Sequence, residues 1–129
     1  MTDSAAAPDP LRVLLVDPDD RVRESLAGLL RIGHRCVVVA TAGNADEAVR
    51  AARESAPDVV VVDPRLPDPD RGPDVIRRIR DAAPASRILV LVWQETPDES
   101  WGADAYARKT FRSHELIDAV VATSRPTAT

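Results

Sequence analysis

Five short apolar runs, almost free of polar residues and separated by helix-period sequence or turn residues, constrain this chain more than any other feature. They are Leu11–Val16, Cys36–Ala40, Val59–Val62, Ile88–Val92 and, more weakly, Ala105–Lys109. A run such as VVVV has no polar alternation, the pattern of a strand buried on both faces of a parallel sheet. The sequence between the runs predicts amphipathic helices. The first, about Arg21–Leu30, places Val22, Leu26, Leu29 and Leu30 on one face and ends near Gly33. The second opens on an Asn44 cap with Glu47 three residues on and stops at Pro57. The third starts at Pro73 and carries Val75, Ile76 and Ile79 before Pro84. The last comes after Ser113 and buries Leu116, Ile117, Val120 and Val121. Alternating strand and helix imply an open, doubly wound, five-stranded parallel sheet of α/β class, with functional groups at the carboxyl ends of its strands. Between the last two strands, QETPDESWGAD leaves little room for a crossover helix, so helix four is expected to be shortened or absent.

The 129 residues suit one domain, 11–124, flanked by Ala/Pro/Asp/Thr-rich tails at 1–10 and 125–129 that are expected to be disordered. A net charge of -4 has the wrong sign for gripping phosphate backbones, so no nucleic-acid partner is expected. One cysteine, Cys36, excludes an internal disulfide and reads as a small core residue. The acidic opening MTDSAAAPDP lacks the features of a signal peptide, and no apolar run approaches the roughly 20 residues of a membrane span. A cytoplasmic protein with no membrane association is expected.

The chemistry is sought at the strand ends. The first strand runs into Asp17-Pro18-Asp19-Asp20, the third into Asp63-Pro64-Arg65-Leu66 and the fifth into Lys109-Thr110-Phe111. Asp17, Asp63 and Lys109 then converge on one edge of the sheet. Two close carboxylates need a compensating cation or a raised pKa, so the site expects Mg²⁺ or the lysine. A carboxylate supported in this way suits phosphoryl transfer onto itself. Lys109 is the only lysine among 17 basic residues, a compact ammonium in a chain that otherwise uses arginine.

LRVLLVD, PDVVVVDPRLPD, ILVLV and GADAYARKTF, in that order and with Asp17, Asp63 and Lys109 equally spaced, resemble a response-regulator receiver domain from Leu11 to about Ser124. The resemblance implies a flavodoxin-like (CheY-like) sheet of order 2-1-3-4-5. It makes Asp63 the phosphoacceptor and Lys109 the phosphate-binding lysine. Asp17, Asp63 and the backbone carbonyl of Arg65 become the Mg²⁺ ligands, and Val92 and Tyr106 the two switch positions. The departures are equally specific. Pro18 stands where the family carries a second acid, the direct metal ligand, and proline offers neither a side-chain oxygen nor an N–H; Asp19 or Asp20 is the fallback ligand. Val92 replaces a switch hydroxyl, and Trp93 replaces a small residue and crowds the place of the phosphate.

The resulting expectation is a non-enzymatic, stand-alone receiver of a two-component pathway, with weak or no phosphorylation at Asp63 and weak or lost Mg²⁺. Its output is protein contact with a histidine kinase or output protein, a homodimer being one such assembly. The alternative is a conventional Mg²⁺-dependent phosphoacceptor served by a histidine kinase. A remote one is a haloacid-dehalogenase-like phosphatase, from the superficial match of Asp17-Pro18-Asp19; Arg21 departs from that motif. Purely structural readings stand beside these. Asp19 and Asp20 cap the first helix, Asp17 anchors loop N–H groups, Lys109 sits in a static salt bridge, and Trp93 and Trp101 fill space. His34 and His114 are assigned no role.

Overall fold

The apolar runs are strands because their two faces meet two different helix layers. The computed structural model describes residues 9–66, 72–93 and 101–125. Strands β1 (Leu11–Val16), β2 (Cys36–Ala42), β3 (Val59–Val62), β4 (Arg87–Val92) and β5 (Ala105–Arg108) form one parallel sheet of order β2-β1-β3-β4-β5. Helices α1 (Asp20–Arg31), α2 (Ala45–Ser55), α3 (Gly72–Ala82) and α4 (Ser113–Ser124) cover it. Val13, Leu15, Val59, Val61, Leu89 and Leu91 pack with Leu26 and Leu30 of α1 and Leu116 and Val120 of α4. The alternate residues Leu14, Val16, Val60, Val62, Ile88 and Val90 pack with Ala48 and Ala52 of α2 and Val75, Ile76 and Ile79 of α3. Side chains alternate with a period of two while both faces stay apolar, and the strands therefore read as unbroken runs.

Helix starts are set by local hydrogen bonding. Asn44 accepts the Glu47 N–H at 2.9 Å and the Glu47 carboxylate accepts the Gly43 N–H at 3.0 Å, a reciprocal cap. Asp19 caps α1 by accepting the N–H groups of Arg21 and Val22. After α1 a single 3₁₀ turn, Ile32–His34, carries Gly33 at φ 81, the left-handed geometry that glycine adopts without strain.

Element ends and one buried face differ from the sequence reading: β4 starts one residue earlier, at Arg87, and β5 stops at Arg108. β2 extends to Ala42 because its pairing with β1 continues past an irregularity at Val13/Leu14 to Val16↔Ala42. α3 begins one residue before Pro73, at Gly72. In α4 the buried residues include Thr123, whose hydroxyl donates to the Ala119 carbonyl at 2.7 Å, whereas Val121 is only partly buried. Cys36 is buried, and burial pushes its thiol pKa up against the opposing charge of Arg35. Of the expected tails at 1–10 and 125–129 and the shortened segment at 94–102, residues 1–8, 126–129 and 94–100 lie outside the described residues.

Ile79 is fully buried and Ile32 is exposed. Ile79→Ala is expected to cost about 2–5 kcal/mol in urea denaturation, and Ile32→Ala less than about 0.5 kcal/mol. Equal losses at both positions would contradict the packing described.

Candidate functional site at the carboxyl edge of the sheet

Asp17, Asp63 and Lys109 are each the first residue beyond a strand, and each is still tied to the sheet through its backbone. The Asp17 N–H donates to the Ala42 carbonyl (3.0 Å), that of Asp63 to Val16 (3.0 Å) and that of Lys109 to Val92 (2.7 Å). The sheet thus fixes where the three side chains start, and they converge as expected. Lys109 Nζ lies 2.5 Å from Asp17 Oδ2 and 2.7 Å from Asp63 Oδ2, and the side chains are only 2%, 1% and 1% exposed. A single buried ammonium bridges two buried carboxylates.

The loops after β1 and β3 have the same local construction. In Asp17-Pro18-Asp19, Asp17 Oδ1 accepts the Asp19 N–H at 2.9 Å; in Asp63-Pro64-Arg65, Asp63 Oδ1 accepts the Arg65 N–H at 2.8 Å. Each is an Asx-type turn with proline at its centre, where proline's fixed φ suits the bend. The third residue then takes opposite roles. The Asp19 carboxylate serves as the α1 cap, and the exposed Asp20 side chain pairs with Arg23, so the fallback ligands are committed to the helix. Arg23 also donates to the Asp17 carbonyl at 2.7 Å.

Arg65 turns back on the site. Its Nε lies 3.2 Å from Asp63 Oδ1 and an Nη 3.0 Å from Oδ2, a two-pronged guanidinium–carboxylate pair. The sequence alone assigns Arg65 only a backbone carbonyl. The Asp-Pro-Arg turn gives no signal for the side chain, since Asp17-Pro18-Asp19 builds the same turn and sends its third side chain to the α1 cap. Burial acts to raise the Asp63 pKa, but the hydrogen bonds from Arg65 and Lys109 outweigh it and hold the carboxyl below its ordinary value.

This donor set does not fit a magnesium ion as it stands. All four carboxylate oxygens of Asp17 and Asp63 already accept N–H groups, and Pro18 supplies no oxygen. Among the described residues no cluster of three or more His, Cys, Asp or Glu side chains is placed to hold a metal. Trp93 is half-buried at the end of β4 with its ring centroid 4.8 Å from Lys109 Nζ, and it packs against Phe111 at 5.8 Å. Val92 is 2% exposed within the core facing α2 and α3. Tyr106 is half-buried; its hydroxyl accepts the Ala103 N–H at 3.3 Å and its ring lies 6.4 Å from Trp101. Both tryptophans therefore occupy packed positions. The exposed aromatic among the described residues is Phe111.

With this sheet order and this triad at its edge, the sequence matches the family model of the response regulator receiver domain over residues 13–121. The chain belongs to that family. Among curated relatives, this receiver is 35% identical over 116 residues to the DNA-binding transcriptional activator DevR/DosR of Mycobacterium tuberculosis, covering 85% of this chain and 52% of that protein. A two-component response regulator of the LuxR family from Aurantimonas shares 35% identity at a TM-score of 0.78, with 89% of this chain and 85% of that one covered. The signal receiver domain of a NarL response regulator from Mycobacterium tuberculosis has the same fold, with a TM-score of 0.81 at 24% identity and 91% and 98% of the two chains covered. The receiver spans about half the length of the curated relatives it matches. Among its described residues no helix is long and apolar enough to cross a membrane.

Removing the cation should cost more than removing both ends of one ion pair. Lys109→Met leaves two buried carboxylates without their shared ammonium and is expected to cost about 3–5 kcal/mol; adding Asp63→Asn should restore part of that loss. Simple additivity of the two losses in urea denaturation would contradict the bridge. The lowered Asp63 pKa also has a pH signature in metal-free protein. Its contribution to stability is complete above the ordinary carboxylate range and is lost as pH falls through the depressed native value. Denaturation midpoints should therefore fall less steeply with acid in Asp63→Asn than in the parent; parallel acid limbs would argue against it.

Proposed function

We propose that this is a receiver of two-component signalling whose Asp63 accepts phosphate weakly or not at all, and that it acts in the cytoplasm through contacts with protein partners. Receiver domains ordinarily bind Mg²⁺ at the phosphorylation site, and Mg²⁺ there offsets the charge of an incoming phosphoryl group. The observation that carries the proposal is that Asp63 is already saturated with donors. Oδ1 faces the N–H and Nε of Arg65, and Oδ2 faces Lys109 Nζ and an Arg65 Nη. For an Asp63 oxygen to attack phosphorus, at least one of these charge-assisted bonds must first break, and Pro18 supplies no acid to organise the replacement.

The proposed silence of the switch rests on the same residues. Val92 has no hydroxyl to be drawn toward a phosphoryl oxygen, and the Tyr106 hydroxyl is engaged with the backbone of its own loop. A ligand that does not discriminate between two states shifts neither, so the partner surface stays in one form. Its partners are a histidine kinase, an output protein or a second copy of the chain. The second reading, a conventional phosphoacceptor, is favoured by one observation: Asp17, Asp63 and Lys109 are assembled with Asp63 held ionised.

Intact mass after incubation with acetyl phosphate and Mg²⁺ separates the two. Most of the protein is expected to remain unmodified. Rapid, near-complete phosphorylation that is abolished by Asp63→Asn overturns the proposal.

A further inference from the structure

Two buried carboxylates and one ammonium leave a deficit of one positive charge, and burial makes such a deficit costly. Only one further cationic side chain is joined to Asp17 or Asp63 through a carboxylate oxygen among the described contacts, and it is Arg65. Among the described residues, Asp17, Asp63, Lys109 and Arg65 then sum to zero. Its fork engages both oxygens of Asp63, and its side chain is 49% exposed while that of Asp63 is 1% exposed. The guanidinium therefore reaches in from the solvent side and closes over a carboxylate that water hardly touches.

We propose that Arg65 is the built-in counter-cation of this receiver, neutralising Asp63 in place of a divalent metal and making the acidic site independent of metal. This deepens the reading of a phosphate-insensitive receiver and rests on it. A dication entering while Arg65 stays would bring two positive charges into a site already neutral. It would also have to displace N–H donors from Asp63, each of whose oxygens already faces two, with no oxygen from Pro18 in return. Mg²⁺ gives up its water reluctantly and needs near-octahedral ligation, so it competes poorly with a preorganised fork. Without the guanidinium, the site carries net negative charge and should attract a cation.

Metal alone is the probe. Thermal midpoint and tryptophan fluorescence, the latter reporting through Trp93 beside Lys109 Nζ, would be recorded across a Mg²⁺ titration of the parent, Arg65→Gln, Arg65→Lys and Arg65→Gln/Asp63→Asn. The parent and Arg65→Lys, which keeps the charge, are expected to be indifferent to millimolar Mg²⁺ and to EDTA. Arg65→Gln is expected to gain a saturable response with affinity at least about tenfold above the parent, and the double variant to lose it. Arg65 belongs to neither apolar cluster, and the metal-free thermal midpoint of each variant shows that it is folded before Mg²⁺ is added. The inference is overturned if Arg65→Gln responds no more than the parent, or if Arg65→Lys gains as much as Arg65→Gln. Ready phosphorylation of the parent by acetyl phosphate overturns the reading of function alone. A parent that binds Mg²⁺ as tightly as Arg65→Gln overturns this inference alone.

Discussion

A single ammonium held between two carboxylates, all three nearly sealed from water, is the interaction on which the carboxyl edge of this sheet depends. β4 lies between β3 and β5 in the sheet, so the Lys109 side chain must cross the end of β4 to reach Asp63 and Asp17. This geometry gives Trp93 its place. The indole stands at the end of β4, where the lysine passes, and its ring face stabilises the ammonium while shielding it. Shielding raises the stakes of charge balance, since Coulomb interactions near 4 Å strengthen from about 1 kcal/mol in bulk water to about 4 kcal/mol at an effective dielectric near 20. A site this dry is stable when neutral and intolerant of one charge too many or too few.

Much of this is legible in the sequence, for reasons tied to particular residues. VVVV at 59–62 is too short and too uniformly apolar for anything but a doubly covered strand, and both ends of β3 fall where the run does. Asn44 and Glu47, three residues apart, mark the start of α2 because the two donors and two acceptors of that turn satisfy one another. Convergence of Asp17, Asp63 and Lys109 comes from topology alone, since each ends a strand of one parallel sheet. Strand ends blur where pairing outlasts the apolar pattern, as in Thr41 and Ala42 of β2.

The role of the Arg65 side chain is not legible there. Sixteen arginines in the chain look alike in sequence, and their separation into surface charge and site charge is decided by backbone geometry. Asp17-Pro18-Asp19 and Asp63-Pro64-Arg65 fold into the same turn, yet the first sends its third side chain to a helix terminus and the second returns it to the carboxylate. Helix α1 begins immediately after Asp19 and offers N–H donors that an acid can cap; Pro64–Leu66, which follow Asp63, form no helix. The same local turn therefore yields a cap where a helix begins at once, and a counter-ion where none does. Pro18 reads differently in this light. It removes an acid expected at that position, and it also completes a turn that its twin at Pro64 builds independently.

Site and output surface are then separable in physical terms. Transmission from Asp63 toward Tyr106 would need a group that the state of Asp63 pulls on, and a core whose two arrangements differ little in free energy. Val92 is buried with the Val90 and Ile88 side chains against α2 and α3, and its methyl groups offer no hydrogen bond for a charge at Asp63 to pull on. Tyr106 packs against that same core and its hydroxyl oxygen accepts the Ala103 N–H, so turning it inward would cost a hydrogen bond and offer no new one in exchange. In the proposed reading, the arrangement that neutralises Asp63 internally also leaves the β5 side without a reason to move. The proposed reading, a receiver that presents one surface whatever reaches the edge of its sheet, follows from these two residues together.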